Sequence, residues 1–125
     1  MGGNAYHIPT VAEWEHGFRA GTTTEYHSGD KVEDLLEYAW FLKNSDGRPH
    51  AVGEKKTNGI VLHDTHGNLW VWNEEMLTKA TGAPERVLCG GPWTVSAGAC
   101  SANSRARHIP SCHACYIGFR VARVP

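Results

Sequence analysis

At 125 residues the chain has the length of one domain, enough to bury roughly two-thirds of the surface that its unfolded form exposes. A formal charge of −1, from 12 Lys and Arg against 13 Asp and Glu, leaves no electrostatic footprint for nucleic acid or an anionic membrane, and no apolar run reaches the ~18 residues of a membrane span. The opening "MGGNAYHIP" lacks the basic and apolar regions of a secretory leader, so the expectation is a soluble domain with no nucleic-acid partner and no membrane insertion.

The elements follow in chain order. In "PTVAEWEHGFRAGT", Thr10 and Glu13 form a capping box, and Val11, Trp14 and Phe18 share one face, leaving Glu13 and Arg19 to water. A helix of about ten residues is predicted, with Gly21 as its left-handed terminator. A second short helix is predicted in "DKVEDLLEYAW" with Asp30 as cap. Residues 42–59 read as loop, because Asn, Asp, Gly and Pro recur faster than either hydrophobic period. "IVLHDTHGNLWVW" reads as a strand, a turn at Gly67-Asn68, and a strand carrying Leu69, Trp70 and Trp72, with both tryptophans in the core. "ERVLCGG" and "GFRVARV" are the remaining strands. The result is an α+β domain of short strands, one or two short helices and much irregular loop. Four cysteines are too few for a disulfide-dense scaffold, and their spacing leaves thiols and disulfides both open.

In this order, P-T-x-A-E-W-E, H-G-N-x-W-x-W, G-G-x-W and I-G-F-R resemble the formylglycine-generating enzyme family, a sulfatase-modifying-factor branch of the C-type lectin fold, over most of the chain. The resemblance implies a single C-type lectin-like domain over residues 1–125. It also implies a copper site of two cysteines just after the G-G-S-W element. Here the second falls on Cys100, but the first falls on Val95, and the catalytic serine is Pro92. One thiolate does not make a two-sulfur site for a soft ion, so no enzyme activity and no cofactor are expected, with a degenerate copper oxidase as the alternative. The family's calcium site would retain Asp64 and the backbone of Gly67 and Leu69, but its glutamate position is Val71.

A second group within this fold, the variable proteins of diversity-generating retroelements, is similar in another way. In that group, phage or microbial binding proteins, the segment before I-G-F-R is rewritten by mutagenesis of asparagine codons, which yields fifteen amino acids and never Lys, Glu, Gln, Met or Trp. Residues 94–116, "TVSAGACSANSRARHIPSCHACY", contain none of those five. The resemblance implies a hypervariable ligand-recognition surface on about residues 94–116. Its variable positions would be Thr94, Val95, Ser96, Ala99, Ser101, Asn103, Ala106, His108, Ile109, Ser111, Cys112, His113, Ala114, Cys115 and Tyr116. Gly90, Gly91, Trp93, Arg105, Arg107, Pro110, Gly118 and Phe119 would frame it through close backbone approach, core burial and guanidinium bonds to loop carbonyls. The ligand would be a protein or surface glycan on another cell or particle, met by a domain displayed on a cell or virion surface. Two bottom-up alternatives stand beside this reading: a loop merely rich in small residues, and a zinc site using His108, Cys112, His113 and Cys115.

Overall fold

The computed structural model describes residues 5–78 and 82–123. Its first helix, α1 (Val11–Arg19), starts where the capping box places it. The Glu13 amide donates to Thr10 Oγ1 at 3.1 Å, and the Thr10 amide donates to Glu13 Oε1 at 3.2 Å. A third donor is satisfied from far along the chain, since the Val11 amide reaches the Glu75 carboxylate at 2.8 Å. That contact also sets a negative charge at the positive end of the helix. Trp14 and Phe18 are buried, and Val11 packs beside them. The left-handed terminator is Ala20 (φ 47°), one residue ahead of Gly21 (φ 87°), because the Ala20 amide already closes onto the His16 carbonyl. Arg19, expected in water, is half-buried, paired with Glu15 and donating to the Thr24 carbonyl at 2.7 Å.

The second helix, α2 (Val32–Leu35), is a single turn with Lys31 at its N-cap. Asp30, the expected cap, instead accepts the Glu25 amide at 2.9 Å and closes the preceding turn. The loop over residues 42–59 is as predicted, and side-chain amides anchor it. Asn58 donates to the Gly17 carbonyl at 2.7 Å, and Asn68 exchanges two bonds with the His50 backbone. The strand expected at 60–63 does not form. Asn58 Oδ1 accepts the amides of both Ile60 and Leu62, winding the stretch into a turn in which Val61 takes a positive φ of 67°.

The Gly67-Asn68 turn is present, with φ of 74° and 67°, and β2 (Trp70–Thr78) leaves it. With β3 (Pro84–Cys89), β4 (Arg105–His108) and β5 (Ile117–Gly118) it makes a sheet of order β4-β3-β2-β5. β5 runs parallel to β2, while β3 is antiparallel to both β2 and β4. Val71 and Asn73 point into the core, so alternation turns Trp70 and Trp72 to the other face, where they are half-buried rather than core. The register shifts between Trp72 and Met76. There the Glu74 amide reaches the Pro9 carbonyl at 3.0 Å and Glu75 reaches α1, so this irregularity docks the helix. The expected "GFRVARV" strand is broken into β5 and β6 (Ala122–Arg123), and β6 pairs with β1 (Tyr6–His7).

The core has two parts. One gathers Trp14, Phe18, Val71, Val87, Cys89 and Ala102; the other gathers Tyr26, Leu35, Ala39, Phe41, Ala97 and Cys100. The fully buried His66 joins them, its ring centroid 3.6 Å from that of Phe18 and 5.4 Å from that of Tyr26.

Candidate functional site

The segment from 94 to 116 begins at Trp93, which three bonds hold in place. Its amide donates to the Asn68 carbonyl at 2.9 Å, its carbonyl accepts from Ser45 Oγ at 3.0 Å, and its indole N–H donates to the Cys115 carbonyl at 3.1 Å. Just before it, Gly91 sits at φ 76°, and a Cβ there would overlap the Ala99 carbonyl and lie 2.8 Å from Cys100 Sγ. Only glycine allows the chain to approach its own 3-10 turn, Ala97–Cys100, this closely. β4 then forms one edge of the sheet and β5 the other, so residues 109–116 carry the chain across β3 and β2.

The fifteen expected variable residues divide by position. Ser96, Asn103, Ile109, Ser111, His113 and Cys115 are exposed, while Thr94, Val95, Ala99, Ala106, His108, Cys112, Ala114 and Tyr116 are half-buried. Ser101 is buried, and Val95 packs against the Tyr26 and Phe41 cluster. The Trp93 indole brings Cys115 beside the start of the segment, whereas Ala106 and His108 lie on the β4 edge. Of the framing residues, Arg105 donates to the carbonyls of Ala102 at 2.7 Å and Ser104 at 2.9 Å, as expected. Arg107 instead lies 3.8 Å from the Glu85 carboxylate. Phe119, expected in the core, is 72% exposed.

Ala97, Cys100 and Ala102 pack into the core and Arg105 pairs with Glu15, but at the expected variable positions the hydrogen bonds from the rest of the protein fall mostly on main-chain atoms. Leu42 N–H donates to the Val95 carbonyl at 2.9 Å, Trp70 N–H to the Tyr116 carbonyl at 2.8 Å, and Ala102 N–H to the Glu25 carbonyl at 2.8 Å. His66 Nδ1 donates to the Cys100 carbonyl at 2.6 Å while its Nε2 accepts the His27 amide at 3.0 Å, which fixes the neutral tautomer. The β3–β4 ladder, with Leu88 opposite Ala106, is backbone throughout. Among the fifteen, Asn103 is the one whose side chain bonds the scaffold among the described residues, at 3.4 Å from Arg19 Nη2. Sequence reading missed Leu42, Ser45 and His66 as holders of the segment; the H-G-N motif was the available signal for His66.

The donor sets for the family's metals do not fit. Cys100 is fully buried, and burial pushes its thiol up to about 12. Pro92 and Val95, at the family's other two positions, have no donor side chains. For calcium, Asp64 is buried with one oxygen on the Gly53 amide at 2.8 Å and the other without a hydrogen-bond partner. Val71, however, belongs to the apolar core, and Arg120, lining the same cleft and donating to the His63 carbonyl, already sets a cation near Asp64. One carboxylate facing a guanidinium is not a site for a hard cation that wants six to eight oxygens. His108, Cys112, His113 and Cys115 are not drawn together either: among the described residues no three His, Cys, Asp or Glu side chains form a metal-binding group. All four cysteines are free.

The sequence profile of the sulfatase-modifying factor enzyme 1-like domain matches residues 2–125. The structure is similar to that of Treponema denticola variable protein 1, with a TM-score of 0.86 and 30% identity over 94% of this chain and 47% of that one. The chain is 28% identical to the chaperone protein LppX of Paenibacillus barcinonensis, over 76% of this chain and 41% of that protein. It is 37% identical to the formylglycine-generating enzyme of Mycobacterium tuberculosis, over 52% of this chain and 25% of that enzyme. It thus spans less than half the length of each.

Proposed function

The chain belongs to the sulfatase-modifying factor enzyme 1-like family, and from that premise we propose that it is a non-enzymatic member, a binding protein that presents residues 94–116 as a hypervariable recognition surface. The observation that carries this reading is the main-chain anchoring of the segment. A scaffold tolerates extensive substitution only where its backbone hydrogen bonds are satisfied whatever side chains are present. Likeness to a solved variable protein supports the same reading. With Pro92 and Val95 at the two positions beside Cys100 in the family's motif, a single sulfur remains where the oxidase needs two.

The ligand would be a protein or surface glycan on another cell or particle, with the domain displayed outward. Ser101, being buried, and Val95, being packed on the core, contribute least to such a surface. The test is a displayed library of the other thirteen positions, drawn from the fifteen permitted amino acids and selected against an arbitrary protein such as hen lysozyme. Folded binders are expected: at the six exposed positions substitutions shift stability by only about 0.5 kcal/mol each, and at the seven half-buried ones the folded clones should favour side chains near the present size. A library that rarely folds, or that yields no binders when a matched library in the 42–59 loop does, would sink the reading.

A further inference from the structure

Beside the start of the segment lies an apolar groove of about 420 Å³. The buried Phe41, Val32 and the 59%-exposed Leu42 line it together with Ser96 and Gly98. Lys43 is the charged residue among those lining it, exposed and with no ion-pair partner among the described residues. The walls are held in register by the Leu42 N–H bond to the Val95 carbonyl. Gly98 is different from the glycines that crowd against backbone. Its φ is not positive, and a Cβ built on it meets nothing within 4 Å. Any L-residue therefore fits there without strain, and Gly98 itself lines the groove.

The geometry points to Gly98 as a specificity-determining position that keeps this groove open for an apolar side chain, aromatic or leucine, of a protein partner whose neighbouring carboxylate meets Lys43. This rests on the proposed recognition function and names the class of its ligand. Continuity with residues 94–96 places the groove on the same surface, and the lone cation on its rim selects an acidic neighbour. Sugar recognition needs several convergent polar groups, and Ser96 is the one uncharged polar side chain lining the groove. The volume exceeds one side chain, leaving room for an anchor and its flanking residue.

The test is amide-resolved NMR titration of the whole chain with N-acetyl-Trp-Glu-amide, its Trp-Lys counterpart, and methyl α-mannoside. Saturable shifts are expected at Leu42, Lys43 and Gly98 with the Trp-Glu probe, several-fold weaker with Trp-Lys, and none with the sugar. Lys43→Glu should reverse the charge preference. Gly98→Leu should weaken Trp-Glu binding at least tenfold with an unchanged unfolding midpoint, while Gly98→Ala retains most of it. Absence of saturable shifts at those amides, equal binding by a folded Gly98→Leu, or shifts there with the sugar would each overturn the inference. Success of the displayed library alongside any of these would leave the recognition function standing and remove only the groove from it.

Discussion

His66 is neutral because burial holds its pKa down to about 3 while both ring nitrogens are engaged, Nδ1 on the Cys100 carbonyl and Nε2 on the His27 amide. In the unfolded chain the imidazole titrates near its ordinary 6.5. Above that pH neither state carries the proton and stability is unaffected; as pH falls from 6.5 toward 3 only the unfolded state gains it, and stability is lost. Between pH 7 and pH 5 the loss from this residue should be about 2 kcal/mol. Burial lowers the pKa of His27 as well, which adds to the loss in the same direction. Urea unfolding at the two pH values measures it, and His66→Gln should start less stable yet show a flatter pH dependence. Gly91 gives a second test at this scale. With φ at 76° and the Ala99 carbonyl in the path of a Cβ, Gly91→Ala should cost at least about 2 kcal/mol by denaturant unfolding. Gly98→Ala, with open space around it, should fall within about 1 kcal/mol of the parent.

Among the elements, α1 is the most fully specified by local chemistry. Thr10→Ala should cost about 1 kcal/mol, since it removes the acceptor of the Glu13 amide. Glu75→Ala should cost a comparable amount by leaving the Val11 amide open, and thermal unfolding of the single and double variants checks both. Thr10 and its partner are three residues apart and were legible in the sequence; Glu75 is 64 residues from Val11, and no pattern along the chain announces such a pairing. The same division runs through the sheet. β3 and the Gly67-Asn68 turn could be read from composition and turn residues. The strand expected at 60–63 was lost to a side chain, because Asn58 Oδ1 competes for the amides that a strand would need. Trp70 and Trp72 were misplaced for a related reason: alternation identifies two faces but not which one meets α1, and Val71 takes that side. The bounds 94–116 proposed for the recognition segment rest on its missing amino acids alone, whereas the β4 edge within it and the burial of Ser101 depend on long-range packing.

For the whole molecule, stability should be indifferent to metal. With Arg120 beside Asp64 and no donor side chain at Pro92 or Val95 to join Cys100, chelation by EDTA or by a copper(I) chelator should leave the unfolding midpoint unchanged to within about 1 °C, since an agent that removes no bound ligand shifts no equilibrium. A drop of several degrees on chelation would show that a metal is part of the fold. The pairing of β1 with β6 has a mechanical consequence. Tyr6 lies opposite Arg123 and His7 opposite Ala122, so Tyr6 and Arg123 sit at the same end of a ladder two rungs long. Tension applied between those two points peels the ladder one rung at a time, the arrangement in which hydrogen bonds resist least. A domain stretched between Tyr6 and Arg123 therefore opens first at this seam, before the four-stranded sheet is loaded.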